Sequence, residues 1–161
     1  MTLFYHGAKA PIRGFRVQPS QTGVQYGAGI YFTDSIQQSS IFGKTIHIAS
    51  LDTRKMFFET DPIDRTKIKN IAQDAPKAAL LRLDNDPKVA REELIKDATA
   101  SRNMVDALYV LWYDGFARDG VEFCKACAKH GVTGVVIKAL SSNYFIVYDP
   151  NIIDLLDTQY T

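Results

Sequence analysis

Strand-like segments crowd both ends of this 161-residue chain, and helix formers fill its middle. That segregation constrains the fold more than any other feature. Alternating strands and clustered helices of this kind point to an α+β domain. At the N-terminal end, residues 3–6 form an apolar strand that is expected to break at Gly7. Residues 8–28 hold Pro11, Gly14, Pro19, Gly23 and Gly27 and read as loop and turn. Residues 29–32 form a short strand. Residues 33–42 lack Gly and Pro, and Thr33, Asp34 or Ser35 is placed to cap a short helix. Residues 45–49 and, less cleanly, 55–59 alternate with period two and are expected to be strands.

The middle changes character. Asp86-Pro87 sets an acceptor and a proline where a helix starts, and residues 88–98 continue in good helix formers. Asn103 caps a second helix, in which Val105, Leu108, Tyr109 and Trp112 make an apolar stripe. Residues 119–130 form a third helix, ended by Gly131. Beyond it, residues 134–138 read as a buried strand and 144–148 as the next, stopped by Asp149-Pro150. Residues 152–156 are expected to add an edge strand. A chain of this length is expected to make one domain, 1–161, with a helical insertion at about 61–130.

Composition narrows the function classes. Apolar content of 46% and charged content of 23% are those of a globular protein. No apolar run approaches a membrane span. The start Met-Thr-Leu-Phe-Tyr-His has neither the basic residues nor the apolar run of a signal peptide, so a cytoplasmic location is expected. Two cysteines, Cys124 and Cys127, are too few for a disulfide scaffold. With His130 they supply three zinc-type ligands where a structural site wants four, so packing of both into the core is the expectation. Net charge of +1 conceals an asymmetry: residues 1–58 hold six Lys/Arg against two Asp/Glu, and residues 103–161 hold four against seven. The positive end favours a ligand bearing pyrophosphate. No basic run announces an extended nucleic-acid footprint.

That positive end also carries the chemistry-bearing residues. His6-Gly7 is followed by Gly27-Ala28-Gly29-Ile30-Tyr31-Phe32, and then by Ser39 and Phe42. Cleaving NAD at its nicotinamide bond requires aromatic faces for a flat cationic ring. It also requires backbone and hydroxyl groups for the carboxamide, and room beside glycine for the pyrophosphate. Tyr31 and Phe42 offer the rings, and Gly7 offers accessible backbone. Ser39 lies three residues before Phe42 on one helix face.

These motifs resemble the ADP-ribosyltransferases of the diphtheria-toxin and poly(ADP-ribose) polymerase type, whose signature is His, Tyr and Glu. The resemblance covers roughly residues 3–60 and 131–156, with Gly134-Val135-Val136-Ile137 and Phe145-Ile146-Val147-Tyr148-Asp149-Pro150 similar to the family's later strands. It implies a split β-sandwich: two small packed sheets around an NAD cleft. It assigns His6 to the adenosine ribose, Gly7 and Ser39 to the carboxamide, Gly29 to the turn beside NAD, and Tyr31 and Phe42 to the nicotinamide faces.

The chain departs from the family at the third signature position, which Tyr144 occupies, and no Glu follows Glu122. In the family that Glu holds the ribose 2′-hydroxyl and steadies the oxocarbenium-like transition state. Tyr144 keeps a hydroxyl for hydrogen bonding but is a poor general base at neutral pH. The expectation is therefore mono-ADP-ribosyl transfer from NAD to a protein, nucleic-acid or small-molecule acceptor, with His6, Tyr31 and Tyr144 at the catalytic centre. By analogy such a protein is a bacterial or phage effector or toxin, a role that brings a neutralising partner protein with it. The alternative is an inactive module of the same fold that binds NAD, ADP-ribose or nucleic acid.

Overall fold

The computed structural model describes residues 1–18 and 26–161; Pro19 and Gly23, read above as turn residues, lie outside them. The fold is α+β. Strands β1 (Phe4–Ala8), β2 (Ile30–Thr33), β3 (Thr45–Leu51), β4 (Met56–Phe58), β5 (Gly134–Lys138), β6 (Asn143–Val147) and β7 (Ile153–Tyr160) form one seven-stranded sheet in the order β4-β5-β6-β2-β1-β3-β7. All pairs are antiparallel except β4 with β5. No described helix is long and apolar enough to cross a membrane.

The ladder is continuous but pinched. β1 and β3 share five register pairs and β2 and β6 share four, whereas β1 and β2 share only Tyr5 with Thr33. Two well-paired halves, β4-β5-β6-β2 and β1-β3-β7, therefore meet at a single rung.

Between β2 and β3 the chain makes one short helix, α1 (Ile36–Ser39), whose N-cap Ser35 accepts a hydrogen bond from the Gln38 amide, and then a 3₁₀ turn over Ser40–Phe42. The helical block comprises α2 (Arg65–Gln73), α3 (Lys77–Leu80), α4 (Pro87–Thr99), α5 (Met104–Val110) and α6 (Gly120–Lys129). Side chains of Asp64, Asp86, Asn103 and Asp119 cap α2, α4, α5 and α6 by accepting from backbone amides one or two residues into each first turn. A π-helical turn, Leu111–Gly115, extends α5. At that turn Leu94 packs so close to Gly115 that a Cβ there would collide with it.

Two apolar clusters cover the sheet. The larger joins the inward faces of α2, α4, α5 and α6 to Val135, Ile137, Ile146 and Tyr148, with Tyr31 and Tyr144 packed at its margin. Cys124 and Cys127 are both free thiols buried in it. His130 turns away to Asp74, its Nε2 2.8 Å from Oδ2. The smaller cluster, on the opposite face, holds Phe4, Ile30, Phe32, Val136 and Val147 under Phe15 and Phe145.

Three expectations need correction. In place of two small packed sheets the strands form one continuous seven-stranded sheet, because the pairing of Tyr5 with Thr33 joins the two halves. β1 does not break at Gly7 but runs on to Ala8, because Gly7 pairs with Ile46 of β3. The stripe on α5 is not uniformly core: Leu108 and Trp112 are buried, while Tyr109 is 41% exposed.

Candidate functional site

The residues singled out by sequence gather at the pinch, on two different faces of the sheet. Side chains alternate along strands, and residues paired across a ladder share a face. Tyr5 pairs with Thr33, and Thr33 with Tyr144, so Tyr5, Gly7, Tyr31, Thr33 and Tyr144 share one face. His6, with Phe4 and Phe32, belongs to the other.

On the first face, α1 lies directly over β1. A Cβ on Gly7 would run into the Ser39 carbonyl and stand 3.4 Å from Phe42 Cβ. Only glycine lets the helix settle this close. Residues more than thirty positions apart thereby meet at one point. Ser39 is fully buried, and its hydroxyl donates to the Ile36 carbonyl at 2.8 Å. A ligand contact from that hydroxyl therefore uses its remaining acceptor capacity or requires the rotor to turn. Phe42 is 48% exposed.

Tyr31 is fixed by its own turn. Its hydroxyl donates to the Gly27 carbonyl at 2.6 Å and accepts from the Tyr26 amide at 3.2 Å. Burial pushes its pKa well above the ordinary phenol value, so it stays protonated and cannot act as a base. The turn that carries it depends on Gly29, whose φ of +135° suits glycine and whose absent Cβ leaves room for Ile146 Cγ2. Tyr31, Tyr26 and Tyr144 form an aromatic cluster, with ring centroids 6.1 Å apart for Tyr31 and Tyr144 and 5.8 Å for Tyr26 and Tyr144.

Tyr144 is tied to α1. The Gln38 side-chain amide donates to the Tyr144 hydroxyl at 2.7 Å, and the Ser141 hydroxyl donates to Gln38 Oε1 at 3.3 Å. Asp34 completes the clamp by accepting from the backbone and side-chain nitrogens of Asn143 at 3.0 and 2.9 Å. Beside this clamp opens a groove of about 960 Å³ lined by Tyr26, Gln38, Glu59, Lys138, Ser141 and Tyr144. A smaller cavity of about 170 Å³, reaching Tyr26, Glu59, Tyr109 and Tyr148, adjoins the same residues.

On the second face His6 packs its ring against Phe15, Phe32 and His47 at 5.4, 5.4 and 5.9 Å. Its Nδ1 lies 2.7 Å from the Tyr31 carbonyl oxygen. Only a protonated nitrogen bonds a carbonyl, so the neutral ring carries its hydrogen on Nδ1 and leaves Nε2 as an acceptor. Burial holds the His6 pKa below its ordinary value, the Tyr31 carbonyl opposing and nearby His47 adding to the depression. His47 is fixed in the same way: its Nε2 accepts from the Ile12 amide at 2.8 Å, which leaves Nδ1–H to donate to the His6 carbonyl at 3.2 Å.

Sequence reasoning thus found Gly7, Gly29, Tyr31, Ser39, Phe42 and Tyr144 on or around one face, with His6 behind them and joined through the Tyr31 backbone. It missed Gln38 and Glu59. The only available signal for Glu59 was its place at the end of the alternating segment 55–59. Comparison with known proteins found no matching family model, curated protein or solved structure.

Proposed function

We propose that this protein moves one ADP-ribose unit from NAD to an acceptor and releases nicotinamide, with the two halves of the pinched sheet as counterparts of the split β-sandwich of ADP-ribosyltransferases. The observation that carries the reading is the meeting of Gly7, Ser39 and Phe42 beside the strand of Tyr31. A carboxamide needs a backbone donor and acceptor and a hydroxyl, and a nicotinamide ring needs flat apolar faces. Gly7, Ser39, Tyr31 and Phe42 are those groups. His6 Nε2, an acceptor in the neutral tautomer, is the partner for a ribose hydroxyl at the seam. Tyr144, held by Gln38, borders the place where the glycosidic bond breaks. The Tyr31 hydroxyl, engaged with Gly27, keeps the ring in place before NAD arrives, which lowers the ordering cost of binding.

The test is transfer of label from adenylate-labelled NAD into a bacterial lysate, followed by separate nuclease and protease digestion. Tyr31→Ala is expected to lower incorporation at least about a hundredfold by misplacing the ring. Tyr31→Phe, which keeps the ring, retains most of it. Incorporation that survives Tyr31→Ala overturns the nicotinamide assignment. A raised melting temperature with NAD but no incorporation selects instead the inactive NAD-binding module, which the occupied Ser39 hydroxyl and the Tyr at position 144 favour.

A further inference from the structure

We infer that the carboxylate absent from the third signature position is supplied by Glu59, reaching the same groove from the edge of the sheet; this rests on the transferase reading above. The register places it. β4 runs parallel to β5 with Phe57 beside Val135 and Phe58 beside Val136. The next step along the chain brings Glu59 level with Ile137, which pairs with Tyr144, which pairs with Thr33. Glu59 is the exposed first residue of the turn after β4, and it lines the smaller cavity together with Val135 and Ile137, on the face that Tyr144 shares. Two strand spacings separate Glu59 from Tyr144, about 10 Å between backbones. Buried Ile137 pairs with Tyr144 and lines the smaller cavity with Glu59.

Both cavities on this face include Glu59 and Tyr26 among their linings, and the larger includes Tyr144 as well. The side chain is aimed rather than loose: the Lys138 amide donates to Glu59 Oε1 at 2.6 Å. A carboxylate offers about four lone-pair sites, so one such bond leaves capacity for a ligand hydroxyl.

The chemistry needs an anion that tyrosine cannot supply. As the bond from ribose C1′ to the nicotinamide nitrogen breaks, its electron pair stays on that nitrogen and neutralises the pyridinium. Positive charge then spreads over C1′ and the ring oxygen. The acceptor forms a new bond to C1′ and loses a proton. Glu59 faces the developing charge as an anion and takes that proton, later passing it to solvent. Tyr144 and Gln38 orient the ribose hydroxyls without changing protonation state.

Nicotinamide release from NAD, with water as acceptor, tests this in the full-length protein. Glu59→Gln keeps an oxygen for the Lys138 amide and removes only the charge. Turnover is expected to fall about 10²- to 10³-fold, while the NAD-induced rise in melting temperature persists. The loss is expected in kcat, with KM for NAD little changed; a purely structural role would instead lower the melting temperature of the free variant. Glu59→Asp is expected to restore part of the rate. Wild-type turnover that Glu59→Gln leaves intact overturns the inference alone. Wild-type protein that neither melts higher with NAD nor releases nicotinamide overturns the transferase reading, and the inference falls with it.

Discussion

The two faces of the sheet at the pinch solve opposite problems. Behind β1, His6, Phe15, Phe32 and His47 interlock, and each histidine has its tautomer set by a backbone partner. That side is set largely by packing and by backbone hydrogen bonds, with His6 Nε2 left as an acceptor. In front, Gln38, Glu59, Lys138, Ser141 and Tyr144 border an open groove, and their hydrogen bonds run between side chains or from a backbone amide to a side chain. One side fixes the position of the Tyr31 backbone, and the other leaves polar atoms where a ligand can use them. Rigid support behind and adjustable polarity in front is the arrangement by which a scaffold preorganises a site.

The harshest way to break the contrast is at the contact that joins its parts. Gly7→Ala pushes a methyl group into the Ser39 carbonyl, so α1 must lift from β1. A loss of about 2–3 kcal/mol is expected in denaturant unfolding, together with loss of the thermal shift that the proposed NAD binding would give. An unchanged midpoint would mean that α1 is not seated on β1.

The rear face is sharpened by pH. The folded-state pKa of His6 is lowered, so between that value and about 6.5 the unfolded chain binds the extra proton. Stability is therefore expected to be full above about pH 7 and to fall as pH drops through 6.5. His6→Asn should flatten this part of a melting-temperature profile. The same slope in the variant would assign the effect to another group.

The smallest effect belongs to the front. Tyr144→Phe removes the acceptor of the Gln38 amide, a partly buried bond worth about 1 kcal/mol. Urea unfolding of the single variants and of Tyr144→Phe combined with Gln38→Ala measures the coupling directly. Additive losses would mean that the two side chains act separately.

Legibility in the sequence followed locality. The caps at Ser35, Asp86 and Asn103 and the strands 45–49, 134–138 and 144–148 depend on neighbours along the chain, and they emerge within a few residues of expectation. α2 and α3 escaped separate notice. α2 buries only Ile68, Ile71 and Ala72 in nine residues, too sparse a stripe to stand out from a charged segment. The continuation of β1 through Gly7 depends on α1 lying above it and β3 beside it, neither of which a local reading contains. Glu59 is the clearest case. Whether it ends a solvated strand or borders a groove depends on β5 lying parallel beside it, a pairing across more than seventy residues. The pinch between β1 and β2 was likewise invisible, since pair counts between strands leave no trace in either strand alone.

The placement of β6 beside β2 also has a consequence for how the protein is made. β1, β2 and α1 leave the ribosome early, yet Tyr144 follows only after the whole helical block. Until then β2 has an open edge, β3 lacks the β7 strand that pairs along its full length, and Tyr31 has no Tyr144 to lean on. Closing such distant contacts is slow, and the unpaired edges invite wrong partners meanwhile. An unfinished chain thus holds one side of the groove with no wall opposite it, and only the completed chain sets Tyr144 against Gln38.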